Sequence, residues 1–358
     1  MHAKTLRKLE ITKDDLKGYI TEIIERQMLL GLSLINNGEL PRSDYVSATA
    51  SRIAGFSDTG IAPIPLDMEQ LPEYSRRFGG RNGLITLNPK APVRLPACNE
   101  PLVYTGEDSL RQELEMMVTA FEQLKQKHPN CHAELFFTAP SPGTVALFFE
   151  NKHYSDYQTY VSALAEVLKH EYDLIADYGI YLQIDCPDLA MGRHTRFRQM
   201  KEDQFLSIID INVAALNEAL SSIDEDKLRA HICWGNYAGT HHCDIELEQI
   251  FNPIMQLKPK YISLESSNHR HGHEWEVFKN NSFPEEKVLM PGVIDTTSNI
   301  VEHPKLVNQR IRNFTNILGS DRVIASTDCG FASTASATSV SGEVAWLKLK
   351  SLVEGAQN

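Results

Sequence analysis

The stretch RAHICWGN at 229–236 decides the reading of this chain, because a short apolar run in it delivers His231 and Cys233 to its end. Two other stretches repeat the device: YISLESSN at 261–268 closes on Glu265, and RVIASTDCGF at 322–331 closes on Asp328 and Cys329. Each run reads as a buried strand. The polar residue that ends it then stands at the strand's C-terminal end, the face on which a (β/α)8 barrel assembles its active site.

Working outward from these runs, strands and helices alternate over most of the sequence. After a helix from Glu107 to about Lys127 come the strand AELFFT, a long helix beginning after Ser155, and the strand IYLQID ending at Asp185. In the long helix Tyr157, Val161, Leu164, Leu168, Tyr172 and Ile175 recur at spacings of three and four, and Gly179 stops it. The alternation continues through helix 203–220, strand 229–233, helix 245–256, strands 261–265 and 287–293, helix 304–317, strand 322–327 and a last helix from about Gly342. Toward the N-terminus, Thr12 and Asp15 open a helix whose stripe of Leu16, Ile20, Ile23, Ile24 and Met28 runs to Gly31, and LSLINNGE is a strand ending at Glu39. Residues 41–104 are richer in Pro, Gly and Ser, with strand-like pieces such as GLITL at 83–87, and read as an elaborated loop region over the barrel mouth. The expectation is a single α/β domain over 1–358, a (β/α)8 TIM barrel with that excursion near its N-terminus.

Composition sets the partners. The 358 residues are 42% hydrophobic, enough to bury one large core. A net charge of −12, with no basic block, works against nucleic acid and anionic membranes and leaves small molecules as the expected ligands. No run approaches the roughly 18 apolar residues of a membrane span, and the basic start MHAKTLRKLEITKDDL lacks an export core, so the expected setting is cytosolic. There the six cysteines stay reduced and available to a metal. The sequence leaves a homo-oligomer open.

His231 and Cys233, two apart on a strand, point to one side. With Cys329 and Glu265 from other strand ends they make a donor set of two thiolates, an imidazole and a carboxylate, suited to Zn2+ in a catalytic rather than finger-like arrangement. The alternatives are that the two cysteines are small buried hydrophobes and that the acids cap helices. Nearby His241, His242 and Cys243, and the run His269, His271 and His273, are competing clusters that read as loop residues, as outer supports of the metal or as binders of an anionic substrate. Two thiolates and one imidazole leave zinc nearly neutral, a poor activator of water but a good holder of a thiol that stays nucleophilic. The chemistry expected is S-alkylation of a small thiol, with Glu265 the ligand displaced.

In ERQMLLGLSLINNGE, LQIDCPD, HICWGNY, ISLESSNHRHGHEW, MPGVIDTTSNIVEHP and STDCGF the chain resembles the cobalamin-independent methionine synthase family, both its C-terminal catalytic barrel and single-barrel relatives that include epoxyalkane:coenzyme M transferase. The resemblance, from about residue 18 onward, implies zinc on His231, Cys233, Glu265 and Cys329. It also implies that Glu39 and Asp185 meet the amino group of homocysteine, with a methyltetrahydrofolate-type donor. Departures accompany it. The family's early glycine-serine loop is not found at the start of this chain, Thr297 stands where the methionine synthases carry a proton-donating His, and the folate-stacking Trp has no counterpart near Phe148 and Phe149. For the single-barrel branch, which differs in thiol and alkyl donor, Asp295, His273 or a nearby tyrosine is the candidate acid. Arg42 is a candidate partner for an anion on the thiol, or a surface residue. A zinc-free lyase like the uroporphyrinogen decarboxylases would need arginines gathered at the mouth, and a binding protein with a residual metal site is a third reading.

Overall fold

The computed structural model describes residues 12–78, 94–333 and 339–357. The first element is helix α1 (Lys13–Leu30), where Thr12 and Asp15 exchange side-chain and backbone hydrogen bonds and Gly31 ends the helix at φ 92°. Strand β1 (Leu34–Ile35) follows. The excursion contains α2 (Tyr45–Ala50), β2 (Ile53–Ile61), α3 (Leu66–Gln70), α4 (Pro72–Phe78) and β3 (Arg94–Tyr104). Its described residues are more ordered than their composition suggests, because β2 and β3 pair antiparallel. The strand-like piece at 83–87 lies outside the described residues.

Regular alternation then sets in with α5 (Glu107–Lys127), β4 (Glu134–Pro140), α6 (Pro142–Phe148), β5 (Glu150–Asn151), α7 (Tyr157–Ala176) and β6 (Tyr181–Asp185). It continues with α8 (Glu202–Ala219), β7 (Leu228–Ile232), α9 (Leu247–Met255), β8 (Tyr261–Leu264), α10 (Val277–Asn280) and β9 (Val288–Ile294). The last elements are α11 (Pro304–Leu318), β10 (Ser326–Thr327) and α12 (Gly342–Ala356). Strand β5 joins β3 to complete a three-stranded sheet with β2, while β1, β4, β6, β7, β8, β9 and β10 pair side by side, all parallel, in chain order. All five residues of β7 are buried, as expected of a parallel strand covered on both faces.

One cavity takes lining residues from all seven strands, including Leu34, Thr138, Asp185, His231, Ser263, Met290 and Thr327, so the sheet curls round on itself. This is the barrel architecture the alternation implies. Among the described residues it has seven strands rather than eight, and no ladder joins β10 to β1. Across that seam the flanking helices meet instead, with the Arg26 guanidinium 4.2 Å from the Trp346 ring centre. Strand 322–327 is shorter than its apolar run suggests: only Ser326–Thr327 pair with β9, with a register shift between them, and Val323 makes an isolated bridge to Leu289.

A buried charge network fastens the excursion to the barrel. Arg52 donates to Glu113 of α5 at 2.6 Å and to Glu171 of α7 at 3.1 Å, and Arg42 donates to Glu113 at 2.9 Å. Arg42 is therefore neither a surface residue nor a free partner for a ligand. No described helix is long and apolar enough to cross a membrane.

Candidate metal centre at the strand ends

The register of the sheet brings the site together. Pro140 of β4 pairs with Asp185 of β6, Asp185 with His231 of β7, and His231 with Ser263 of β8, which sets Asp185 and His231 side by side. Cys233 follows one residue after β7, and Cys329 two residues after β10. The ligand atoms of His231, Cys233 and Cys329 all lie within 4.8 Å of one another, and the two sulfurs are 3.4 Å apart. Tetrahedral zinc with bonds of about 2.3 Å places paired sulfurs roughly 3.8 Å apart, so a small side-chain rotation suffices for both to share an ion. All three residues are buried.

The two thiols differ electrostatically. Hydrogen bonds from Cys329 and from the Gly235 N–H, the latter at 3.2 Å, hold Cys233 toward thiolate, whereas donating to Cys233 within a desolvated site pushes the Cys329 thiol up. Glu265 stands at the edge of this trio. Its Oε1 is 3.7 Å from the Cys329 sulfur and accepts the Trp234 N–H at 2.8 Å, while its Oε2 accepts the Asn268 side chain at 2.8 Å. Burial raises its carboxyl well above the ordinary range. The trio itself is formed without it.

Asp328 builds the mount. Its carboxylate accepts the N–H groups of Ser266, Ser267 and Asn268 and the Ser267 hydroxyl. Gly292 makes room for it, since a Cβ there would fall 2.2 Å from Asp328 Oδ1.

The sulfurs face a cavity of about 520 Å³ that Glu39 and Asp185 also line. Glu39 adopts φ 52°, a left-handed conformation rare for a side-chain-bearing residue. It is held by the Thr138 hydroxyl, with the Arg42 guanidinium 3.6 Å away. Burial pushes the Asp185 carboxyl up to about 6, against the opposing charge of His231.

The two acid candidates are not brought to this cavity. His273 is 63% exposed and turned toward Glu246, because the tight turn at 268–274 sends only His271 inward. Asp295 is buried, but its carboxylate accepts the backbone and hydroxyl of Thr297. Neither lines the cavity.

Two residues that the spacing of acids, His and Cys leaves out do line it. Tyr45 projects from α2, its ring against Phe148, and no described protein group hydrogen-bonds its hydroxyl. Burial, then the charges of Cys233 and Asp185, raise its pKa. Arg229 also lines the cavity, and burial lowers its pKa to about 10. It was readable from alternation, since it lies two residues before His231, whereas Tyr45 had no local signal.

The remaining histidines form the outer support. His271 is held by Asp244 at 3.0 Å and Glu274 at 2.8 Å and packs on the Trp234 ring at 4.3 Å. Three histidines share Asp244: burial opposes charge on each and keeps His194 lowered, whereas hydrogen bonds to that carboxylate raise His241 to about 9 and His271 to about 10. All six cysteines are free thiols.

Residues 96–358 match the family model for the cobalamin-independent synthase catalytic domain, and the chain belongs to that methionine synthase family. It is 23% identical to the methionine synthase of Pyrococcus furiosus over 91% of this chain and 80% of that protein. It is 29% identical to 2-hydroxypropyl-CoM lyase of Xanthobacter autotrophicus over 41% of this chain and 44% of that one. In fold it is similar to a B12-independent methionine synthase from Shewanella sp. W3-18-1 solved with selenomethionine, at a TM-score of 0.70 and 16% identity, covering 97% and 89% of the two chains.

Proposed function

We propose that this protein is a zinc-dependent thiol S-alkyltransferase that transfers a methyl group to homocysteine from a methyltetrahydrofolate-type donor. The observation that carries the reading is the convergence of His231 and Cys233 from the end of β7 and Cys329 from the end of β10 within 4.8 Å of one another on a cavity wall. Two sulfurs and one imidazole in contact fit zinc and leave room for a further ligand. His231, Cys233 and Cys329 would hold the ion, with Glu265 the residue in reach of a fourth position. Zinc bound there supplies the Lewis acidity that keeps a substrate thiol deprotonated near neutral pH.

The protein's own groups do the rest. Asp185 and Glu39 offer carboxylates on the cavity side of the trio, where they orient an ammonium group. The transfer makes a carbon–sulfur bond and breaks the bond from carbon to the leaving atom, which must then receive a proton. Asp295 and His273 would need a conformational change to deliver it, whereas Tyr45 is already part of the cavity wall. Asp328 fixes the backbone beside both Glu265 and Cys329, and Phe148 excludes water from the wall next to Tyr45. A cytosolic setting keeps the thiols reduced for this work.

A second reading, alkylation of a different small thiol by an electrophile such as an epoxide, draws on Thr297, whose hydroxyl cannot act as the family's proton-donating His. It also draws on the similarity to 2-hydroxypropyl-CoM lyase. The zinc-free decarboxylase reading fits less well, since the only arginines lining the cavity among the described residues are Arg26 and Arg229. The test is metal analysis followed by a thiol screen on cobalt-substituted protein. One ion per chain and a thiolate-to-cobalt absorption band with homocysteine support the main reading, a band with coenzyme M alone supports the second, and metal-free protein ends both.

A further inference from the structure

Arg229 is a buried charged cavity residue that the chemistry above leaves unused. It faces the same side of β7 as His231, roughly 6.6 Å further down the strand. The side chain is buried at 4% exposure, and its Nε and Nη1 have no hydrogen-bond partner among the described residues. The Phe136 ring, 4.4 Å from the guanidinium carbon, covers one face of the fork without satisfying its donors. Asp185 is one inward position higher on the neighbouring strand, but its Oδ1 accepts Gln183 Nε2 at 2.8 Å and it makes no hydrogen bond to the guanidinium. A guanidinium presents planar N–H donors matched to carboxylate and sulfonate oxygens. Leaving such donors buried and unpaired is costly, and a bound anion removes that cost.

We propose that Arg229 binds the anionic end of the thiol substrate, a carboxylate or sulfonate, at the floor of the cavity and so presents the sulfur to His231, Cys233 and Cys329 above it. The inference deepens the thiol reading given above and rests on it. The strand spacing between Arg229 and His231 suits a thiol whose sulfur and anion are separated by a short two- or three-carbon spacer. With Asp185 beside the guanidinium, an α-amino acid satisfies both charges, whereas a mercaptoalkanesulfonate satisfies only Arg229. Neutral thiols leave the floor unpaired.

The test titrates cobalt(II)-loaded wild-type, Arg229→Gln and Arg229→Lys proteins with homocysteine, 2-mercaptoethanesulfonate and neutral 2-mercaptoethanol, following heat of binding and the thiolate-to-cobalt band. The expected result is that at least one anionic thiol binds the wild type at least tenfold more tightly than 2-mercaptoethanol. That advantage disappears in Arg229→Gln and is mostly kept in Arg229→Lys, and 2-mercaptoethanol is indifferent to either change. A preference for homocysteine identifies a carboxylate beside an ammonium, and a preference for 2-mercaptoethanesulfonate a lone sulfonate. Wild-type protein that shows the band yet binds anionic and neutral thiols equally overturns the proposal, leaves the thiol reading intact, and needs no variant to fold. Absence of the band with every thiol overturns the thiol reading instead. Propionate and ethanesulfonate then decide the floor alone: binding to wild type and not to Arg229→Gln keeps the anion site, and no binding removes it.

Discussion

On one side of the cavity β6, β7 and β8 present Asp185, His231 and Ser263 through simple alternation along paired strands. On the other, Tyr45 is placed by a short helix that a buried ion network ties to the rest of the protein, with Arg52 reaching Glu171 across 119 positions of sequence. The first wall is a property of local pattern, and the second exists only once the chain has folded. The strand wall therefore follows from the barrel pattern itself, and the excursion wall depends on contacts made between distant parts of the chain.

The largest effect that can separate the two walls is on the strand side. Cys233→Ser and Cys329→Ser should each lose the bound metal and lower activity by well over the roughly 10–100-fold that mere supporting residues cost, with unchanged circular dichroism. Retained stoichiometric metal in both variants would disprove the shared site. On the excursion side, Tyr45→Phe should lower kcat about a hundredfold, the low end of general-acid contributions, while thiol binding at the metal stays the same. A kcat equal to wild type would assign the proton to another group.

Stability measurements sharpen the contrast. Arg52→Met leaves Glu113 and Glu171 without their shared partner and should cost about 3–5 kcal/mol in urea denaturation; a loss below 1 kcal/mol would mean the network contributes little. Smaller again is a change in pH dependence. His241 and His271, raised to about 9 and about 10 from an ordinary 6.5, bind protons in the folded state that the unfolded chain has released. Their contribution is complete below about pH 6.5 and is lost as pH climbs toward 10. Thermal midpoints should fall across that window in wild type and fall less in Asp244→Asn; parallel slopes would remove the histidines from the account.

The same contrast explains what could be read from sequence. His231, Cys233 and Cys329 were legible because strand ends and side-chain parity locate them without any knowledge of the fold. Glu265 was read as a fourth ligand; the structure sets it beside the trio, and the Trp234 N–H and the Asn268 amide that hold its carboxylate belong to loop geometry. His271 and His273 are indistinguishable by spacing, and only the turn shows that one supports Trp234 and the other meets solvent. Asp67 was invisible: it is fully buried and holds the Tyr237 hydroxyl and the His241 N–H from 170 and 174 positions away. The strand count is seven because each apolar run read as a barrel strand pairs in the sheet and no further described segment pairs with β1 or β10; the run 322–327 is shortened because pairing, not hydrophobicity, defines a strand.

Asp328 bolts the turn after β8 to the tail of β10, one residue from Cys329. The backbones under Glu265 and Cys329 thus travel as a single rigid bracket. A swing of one loop would carry both residues together, so the separation of the carboxylate from the cysteine sulfur changes by rotation of a side chain about its own bonds.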